Sequence, residues 1–316
     1  MPDNNRAAAI FLMGPTAMGK TRLAMALHDR FPVDIVNVDS SQVFRGMDIG
    51  TAKPSREELV RVPHRLIDIR DPAESYSAAD FCHDAVREMQ QITASGRIPL
   101  LVGGTMFYFH ALEFGLAELP AADEAVRQQL LQQAERLGWP EMHARLARVD
   151  PEMAKRLPPN DKQRIQRALE IFEITGQAAS SLQQHRKSRL PPYNLVKIAI
   201  CPDRREKLHE RIELRFQQML QQGLLEEVEK LFNRGDLGPD KPAMRTVGYR
   251  QVWQYLSHSI DYTEMEQRGV IATRQLAKRQ MTWIRGYQGL HCLQGDIPDL
   301  IDPAIEYLQD RLQIKE

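Results

Sequence analysis

Apolar and polar positions follow two different periods in the N-terminal third of the chain. Apolar runs predict buried strands at residues 7–13 and 98–102, and residues 34–38 predict another strand between them. Between them, apolar residues recur every three or four positions, which predicts helices at 20–30 and 77–95. Short apolar strands that alternate with helices are typical of a parallel sheet flanked by helices. Ligands of such sheets bind at the carboxyl ends of the strands.

The helix predicted at 77–95 carries its own start and stop signals. Ser77 is followed three residues later by Asp80, an acidic stand-in for the Glu of a capping box. Gly96 is the type of residue that ends a helix. These signals support the limits that the periodicity suggests.

The pattern changes after Gly115, where helical periodicity replaces strand-like runs until about residue 184. A basic, proline-containing segment follows at 185–193, and residues 195–200 then predict another strand before a long helix at 204–222. We therefore expect an α/β core built from residues 1–117 and 188–316, with a helical C-terminal half. A helical insertion domain at 118–187 interrupts this core.

Length and composition fit an ordinary globular chain: 316 residues, 42% hydrophobic and 27% charged. The three cysteines, Cys82, Cys201 and Cys292, are far apart and odd in number. They argue against a disulfide framework or a zinc site and fit a reducing cytosol. The polar N-terminus and the short apolar run after it are too short for a signal peptide or a membrane span, so we expect a cytoplasmic protein.

Charge is balanced overall but unevenly distributed. The chain has 42 basic and 42 acidic residues, yet residues 174–202 and 267–295 contain no Asp or Glu and carry four and five Lys or Arg residues. Such windows are either solvated helix faces or a surface that meets a polyanion.

The sequence GPTAMGKT, residues 14–21, joins the first predicted strand to the first predicted helix. It fits the pattern G-x-x-x-x-G-K-[ST], in which backbone N–H groups point at a phosphate. Lys20 adds a positive charge, and the Thr21 hydroxyl is a ligand for a phosphate-bound Mg²⁺. The alternative is a glycine-containing turn that happens to end in Lys-Thr, but a strand before and a helix after favour a phosphate loop.

Nucleotide hydrolysis is poorly supported beyond this loop. Hydrolases hold Mg²⁺ with an acid at the end of a further apolar strand. The strand at 98–102 ends instead in Gly103, Gly104 and Thr105, and no Asn-Lys-x-Asp guanine motif is present.

Asp39 is the nearest acid at a strand end, directly after the second strand. It has two interpretations: part of an Asp-Ser-Ser turn or helix cap, or a general base that takes or orients a proton in the crevice. Thr105, at the next strand end, either faces the same crevice or caps the following helix.

Seven stretches support a more specific interpretation: GPTAMGKT (14–21), DSSQVFRGMDIGTAKP (39–54), PHRLIDI (63–69), LVGGTMFY (101–108), NDKQRIQRALE (160–170), MRTVGYRQ (244–251) and ATRQLAKRQMTWIRG (272–286). Together and in this order, over nearly the whole chain, they resemble the tRNA dimethylallyltransferases, also called tRNA isopentenyltransferases. No Cys/His zinc-finger extension follows Gly286, which points to the bacterial type.

The resemblance implies transfer of a dimethylallyl group from dimethylallyl diphosphate to N6 of an adenosine in tRNA. That adenosine is 3′-adjacent to the anticodon in tRNAs that read codons beginning with U. Diphosphate is the leaving group and Mg²⁺ the cofactor, so the loop would hold a prenyl diphosphate, which accounts for the missing hydrolytic acid. The expected partner is the tRNA anticodon stem-loop, and nothing in the sequence demands more than a monomer.

The resemblance also implies roles for individual residues. Catalysis falls to Asp39, which accepts a hydrogen bond or proton from N6, together with Lys20, Thr21 (near Mg²⁺) and Thr105. The diphosphate-binding residues are Gly14, Pro15, Thr16, Ala17, Met18, Gly19, Lys20, Thr21 and Arg215. The tRNA-binding residues are Asp39, Ser40, Ser41, Gln42, Thr105, Arg127, Gln163, Arg164, Ile165, Gln166, Arg167, Met244, Arg245, Thr246, Val247, Gly248, Tyr249, Ala277, Lys278, Arg279, Gln280, Met281, Thr282, Trp283 and Ile284.

Helical spacing adds a surface to this assignment. Arg274, Lys278, Met281 and Arg285 fall on one helix face and form a predicted basic ridge, with Trp283 close by for base stacking. Arg164 and Arg167, three residues apart, form a second basic pair in the insertion.

Three alternatives remain. A prenyltransferase acting on free AMP, ADP or ATP would lack the long insertion and the basic C-terminal motif. An RNA-binding NTPase or small-molecule kinase would turn over ATP, and a noncatalytic RNA-binding module would not need an intact loop and Asp39. Departures from the family pattern at Ser41, Phe44 and Arg65 remove no proposed catalytic group.

Overall fold

The computed structural model describes residues 6–183, 186–188, 190–295 and 297–312. The chain forms two compact units: Met1–His110 with Leu190–Glu316, called here the sheet unit, and Ala111–Arg189, the helical unit. These limits differ from the predicted insertion limits of 118 and 187. Two positions of the predicted basic segment at 185–193, residues 185 and 189, lie outside the described residues.

The elements follow in chain order: β1 (Ala8–Met13), α1 (Lys20–Arg30), β2 (Val33–Val38), α2 (Arg56–Arg61), β3 (His64–Arg65), α3 (Ala78–Ala94), β4 (Ile98–Gly103), α4 (Met106–Phe114), β5 (Leu116–Ala117), α5 (Glu124–Leu137), α6 (Trp139–Val149), α7 (Pro151–Arg156), α8 (Lys162–Thr175), α9 (Ala179–Gln183), β6 (Arg186–Lys187), β7 (Asn194–Cys201), α10 (Arg205–Gln221), α11 (Leu224–Phe232), a 3-10 turn (Ala243–Arg245), α12 (Tyr249–Leu256), α13 (Tyr262–Gly286), β8 (His291–Gln294) and α14 (Ile297–Leu312).

A six-stranded parallel sheet is the centre of the sheet unit, in the order β3-β2-β4-β1-β7-β8. β1 lies between β4 and β7, with Ile10 opposite both Leu100 and Val196. Residues 9–13 are fully buried, which explains why β1 reads as a continuous apolar run. The predicted parallel sheet with flanking helices and a helical C-terminal half is confirmed. Since all strands are parallel, the residues that follow β1, β2 and β4 meet at one edge.

The predicted start of α3 is also confirmed. The backbone N–H of Asp80 donates to the Ser77 hydroxyl at 3.2 Å, and the Asp80 carboxylate accepts from the Ser77 N–H at 2.9 Å. This reciprocal pair satisfies two helix-terminal donors and fixes where α3 begins.

The helical unit has an apolar core of its own. Buried side chains from α5 to α9 meet there, among them Leu130, Leu146 and Leu169. β5 and β6 form a short antiparallel ladder in this unit, with Leu116 opposite Lys187. The separate core explains how a long insertion interrupts the sheet unit without contributing a strand to its sheet.

The expectation against a disulfide is wrong. Cys201 and Cys292 lie on the neighbouring strands β7 and β8 and form a disulfide with a Cα–Cα distance of 5.9 Å. The sequence did not indicate this pairing, because the two cysteines are 91 residues apart and the apolar pattern did not predict the short strand β8. Cys82 is buried in α3.

In the described part of the chain, no helix has both the length and the apolar character that a membrane crossing requires.

Candidate active site

The phosphate loop runs from the end of β1 to the first residue of α1. Ala17 and Gly19 adopt left-handed conformations, with φ of 63° and 72°, which curl the backbone around a central space. A Cβ on Gly14 would lie 3.2 Å from the Ile200 carbonyl of β7. The Lys20 ammonium donates to the Pro15 carbonyl at 2.9 Å, so the lysine folds back across its own loop.

Two basic side chains, Lys20 and Arg215 of α10, face the same pocket. Burial and, to a lesser extent, the neighbouring Arg215 charge lower the pKa of Lys20 to about 8, and the Asp39 charge partly opposes them. Burial likewise lowers the pKa of Arg215. Two partly buried cations with lowered pKa values in one pocket form a site that an anion would stabilise.

Asp39 forms the local turn that one of its two interpretations predicts, and it also lies in the pocket. One carboxylate oxygen accepts hydrogen bonds from the Ser41 N–H at 2.9 Å and the Ser41 hydroxyl at 2.5 Å, which is the local turn. Asp39 nevertheless lines the same pocket as Lys20. The turn therefore orients the carboxylate beside the phosphate loop.

Thr105, which follows β4, forms hydrogen bonds to the residue next to Asp39. Its hydroxyl oxygen accepts from the Ser40 N–H at 3.0 Å and donates to the Ser40 hydroxyl at 3.3 Å. Thr105 and Ser40 are not among the pocket-lining residues. The structure therefore places Thr105 where it positions the segment that carries Asp39.

Gln280 of α13 connects the two loops of the site. Its amide oxygen accepts from the Thr16 N–H at 2.9 Å, and its amide nitrogen donates to the Gly104 carbonyl at 2.9 Å. A Cβ on Gly104 would lie only 2.4 Å from that nitrogen, so a larger residue at 104 would displace the glutamine amide. Gln280 was predicted to face tRNA, but it is buried inside the site.

The remaining pocket wall is apolar. Ile212, Phe216 and Met219 of α10 share a helix face with Arg215, and Val247 and Leu276 extend the same wall. Sequence reasoning missed these residues, although their spacing around Arg215 is the pattern of a single helix face. The pocket therefore sets a cationic phosphate loop and a carboxylate against an apolar surface.

The predicted diphosphate-binding residues separate into two groups. Thr16, Ala17, Gly19, Lys20, Thr21 and Arg215 line the pocket. Gly14, Pro15 and Met18 are buried and do not line it.

Several predicted tRNA-binding residues are buried. Their side chains pack in the protein interior and have almost no accessible surface, which leaves them unable to contact an RNA directly in this conformation: Ile165, Met244, Tyr249, Ala277 and Ile284. Gly248 is buried as well. The motif pattern identified them because buried and exposed positions alternate within one helix or turn.

The other predicted tRNA-binding residues have accessible surface. The exposed members are Ser40, Gln163, Arg164, Arg245, Lys278, Arg279, Thr282 and Trp283. The half-buried members are Asp39, Ser41, Gln42, Thr105, Arg127, Gln166, Arg167, Thr246, Val247 and Met281.

Ion pairs change the predicted basic surfaces. Arg274 of the basic ridge pairs with Glu213 of α10 at 2.6 Å, an acid outside the acid-free window. Lys278 and Arg285 remain exposed. In the helical unit, Arg127 and Arg167 both pair with Glu170, at 3.0 and 2.7 Å.

The buried Glu170 gives these two arginines a structural role, since an unpaired carboxylate in that core would be costly. Arg164 pairs with Asp161 at 3.2 Å, and its side chain remains largely exposed.

Glu227 of α11 is a structural determinant that sequence reasoning missed. Its carboxylate accepts the backbone N–H groups of Asp48, Ile49 and Gly50 at 2.8 to 3.1 Å, and the Tyr249 hydroxyl at 2.5 Å. Burial and the Glu227 charge raise the pKa of Tyr249, which keeps its hydroxyl protonated as a donor. Glu227 thereby fixes the turn that leads into the pocket-lining residues Gly50, Thr51, Ala52 and Pro54.

The residues present fit a magnesium ion held mainly by its substrate. Thr21 and Asp39 supply hard oxygen donors to one pocket. Over the described residues, no group of three or more His, Cys, Asp or Glu side chains is arranged to hold a metal. Mg²⁺ commonly binds through one or two protein oxygens, water and substrate phosphates.

Fold and pocket together define an α/β phosphate-loop transferase, in which a carboxylate and an apolar wall accompany the anion-binding loop. The sequence profile of the IPP transferase family matches residues 42–287. The chain belongs to this family, as its motifs predicted.

Solved structures agree with this membership. A full-length tRNA isopentenylpyrophosphate transferase from Bacillus halodurans is 35% identical, with a TM-score of 0.71 over 98% of this chain and 97% of that one. A tRNA delta(2)-isopentenylpyrophosphate transferase from Staphylococcus epidermidis is 31% identical, with a TM-score of 0.68 over 97% and 100%. A eukaryotic dimethylallyltransferase acting on tRNA is 25% identical, with a TM-score of 0.77 over 96% and 78%.

Proposed function

We propose that the protein transfers a dimethylallyl group from dimethylallyl diphosphate to N6 of the adenosine 3′-adjacent to the anticodon. The substrates are tRNAs that read codons beginning with U, and diphosphate is released. The observation that carries the proposal is the shared pocket of Lys20, Arg215 and Asp39 beside an apolar wall. Membership of the IPP transferase family supports it.

The two ends of the prenyl donor match the two sides of this pocket. The diphosphate takes the phosphate loop, where Thr16 to Thr21 and Arg215 surround it with N–H groups and positive charge. The five-carbon chain lies against Ile212, Phe216 and Leu276. This orientation directs the reactive carbon out of the loop and toward Asp39.

The reaction is a substitution at that carbon. The N6 lone pair forms a bond to the allylic carbon, the carbon–oxygen bond to diphosphate breaks, and the N6 proton passes to the Asp39 carboxylate. Lys20 and Arg215 stabilise the charge that develops on diphosphate, which is the electrostatic part of the catalysis. Thr21 would help to hold a Mg²⁺ ion, which would supply further charge neutralisation.

The accessible predicted residues of each unit are the proposed tRNA contacts. Lys278, Arg279, Thr282 and Trp283 of α13 and Gln163 and Arg164 of α8 are exposed. Phosphates and unpaired bases are the groups that such residues bind. The target adenosine must leave its stack to reach Asp39, so the pocket receives a flipped base.

One assay tests the proposal. Purified protein is incubated with Mg²⁺ and radiolabelled dimethylallyl diphosphate, and either unmodified tRNA or AMP. We expect label in tRNA at the adenosine next to the anticodon and none in AMP. Label in AMP alone would overturn the proposal in favour of a free-nucleotide prenyltransferase. ATP hydrolysis without prenyl transfer would indicate an NTPase.

A further inference from the structure

An aromatic cluster on the sheet unit has no role in the pocket described above. Phe107 of α4 and Trp283 of α13 are large side chains with 48% and 39% of their surface exposed. His110 meets Trp283 edge to face, with ring centroids 5.5 Å apart and an interplanar angle of 63°. Phe107 and His110 are three residues apart on α4 and therefore share a helix face.

The opposite face of α4 is packed rigidly. Tyr108 stacks on Phe81 with ring centroids 4.4 Å apart, and Phe109 meets Phe11 of β1 at 5.1 Å. The Tyr108 hydroxyl also donates to the Tyr76 carbonyl at 3.2 Å. The backbone that carries the exposed Phe107 and His110 is therefore held in place before any ligand arrives, which lowers the entropy lost on binding.

The cluster borders the proposed reaction site. α4 begins directly after Thr105, which holds Ser40 next to Asp39. On α13, Gln280 bonds the Gly104 carbonyl one helical turn before Trp283. The exposed Arg279 precedes Trp283 by four residues on the same helix face, within an acid-free window. The cluster is thus aromatic, carried in part by a firmly packed helix, and close to a cation.

We propose that Phe107, His110 and Trp283 form a stacking site for one unpaired nucleobase that neighbours the target adenosine. This inference rests on the proposed function. When the target base leaves the stack, each neighbouring base loses a stacking partner, and an aromatic face replaces that partner. Stacking requires only the π-face of a base, so the site binds a base at that position without selecting its identity.

Abasic RNA tests the site directly. Anticodon stem-loops are prepared intact or with one abasic nucleotide immediately 5′ or 3′ of the target, and binding is measured by fluorescence anisotropy. For intact RNA, Trp283→Ala and Phe107→Ala should each weaken binding on the order of tenfold, the scale expected when a base–aromatic stack is removed. With one of the two abasic RNAs, wild type should weaken by a similar factor, and neither substitution should weaken binding further.

Additive losses on both abasic RNAs would overturn the proposal, since the substitution and the missing base would then act separately. Trp283→Phe should retain most of the affinity, and Phe107→Leu, which keeps apolar area without a ring, should not. Tyr262→Ala provides the matched control, because Tyr262 is an exposed aromatic residue at the far end of α13, 45% accessible. Its substitution should leave binding unchanged.

Two readouts separate this proposal from the proposed function. Circular dichroism melts confirm that each variant is folded, and prenyl transfer is measured at saturating RNA. Transfer by wild type together with additive binding losses would reject the stacking site alone. Absence of transfer to any tRNA by wild type would reject the proposed function, while the binding cycle would still report whether these rings stack a base.

Discussion

The Gln280 side chain accepts a hydrogen bond of 2.9 Å from the backbone of Thr16, a residue 264 positions earlier in the chain. Through its other amide atom it donates to Gly104. A single glutamine thereby sets the distance between the phosphate loop after β1 and the loop after β4. The N-terminal phosphate loop is complete only when a C-terminal helix is in place.

Gln280→Leu should lower kcat/KM for the prenyl diphosphate by about tenfold or more, because the Thr16 N–H and the Gly104 carbonyl lose their buried partner. Steady-state prenyl transfer to tRNA measures the effect. Gln275→Leu, which changes an exposed glutamine on the same helix outside the pocket lining, is the control and should be close to wild type. Equal activity of both variants would show that the glutamine bridge does not organise the loop.

Diphosphate affinity should fall as the pH rises above 8. The pKa of Lys20 is about 8 in the empty pocket, and a bound anion raises it by favouring the ammonium form. Binding therefore takes up a proton above pH 8, whereas below that pH Lys20 is charged in both states. Calorimetric titration with inorganic diphosphate, in buffers of different ionisation enthalpy, measures the uptake.

Two variants isolate the contribution of Lys20 from the titration of diphosphate itself. Lys20→Met should bind more weakly at every pH, and Lys20→Arg keeps a charge that does not titrate in this range. Both variants should lose the part of the proton uptake that Lys20 contributes in the wild type. Persistence of the full uptake in Lys20→Met would assign it to another group.

Asp39→Asn should lower kcat by about 10²–10⁴-fold, the usual contribution of a general base, and should change tRNA affinity little. Single-turnover transfer gives the rate, and filter binding gives the affinity. Asp310→Asn, which changes an exposed carboxylate on α14, is the control. A large loss of tRNA affinity in Asp39→Asn would instead make Asp39 a structural residue.

Lys278→Ala combined with Arg285→Ala should weaken tRNA binding and reduce the slope of log K against log salt by about 1 for each phosphate interaction that the substitutions remove. The titration is repeated between low and moderate salt. The exposed Arg56 and Lys230, changed to Ala together, control for the removal of two charges. An unchanged slope in the α13 variant would mean that these residues do not contact phosphate.

Glu227→Gln should destabilise the sheet unit by about 1–3 kcal/mol, because an amide group cannot accept all four hydrogen bonds that the carboxylate receives. Denaturant titration measures the change. The neighbouring Glu226 makes none of these four hydrogen bonds, and Glu226→Gln should leave stability unchanged. If the two variants are equally stable, the turn at 48–50 holds its conformation without Glu227.

The N-terminal fold could be predicted because its signals are local. The strand predicted at 98–102 is observed as Ile98–Gly103, and the helix predicted at 20–30 matches α1. Each depends on an apolar run or a cap within the segment itself. β3, with two residues, and β8, with four mostly exposed ones, have no such pattern and form only because neighbouring strands bind them.

The sequence predicted those site residues that belong to a recognisable motif, such as Lys20 and Asp39. The site was not predictable where partners come from distant elements. Glu213 pairs with Arg274, and Glu170 pairs with Arg127 and Arg167. Nothing in the local sequence distinguishes these two acids from other helix residues, because only the fold brings each acid to its arginine. Motif positions also do not distinguish the buried Tyr249 from the exposed Arg245, because both belong to one turn-and-helix stretch.

The position of β1 between β4 and β7 has a consequence for synthesis on the ribosome. Ala8 of β1 pairs with Asn194 of β7, so β1 is translated about 190 residues before its second neighbour. At roughly 5–20 residues per second, that delay is on the order of ten to forty seconds. During this interval one edge of a wholly apolar strand is unpaired, which is a template for aggregation. The helical unit, which has its own apolar core, is translated within the same interval, before the sheet can be completed.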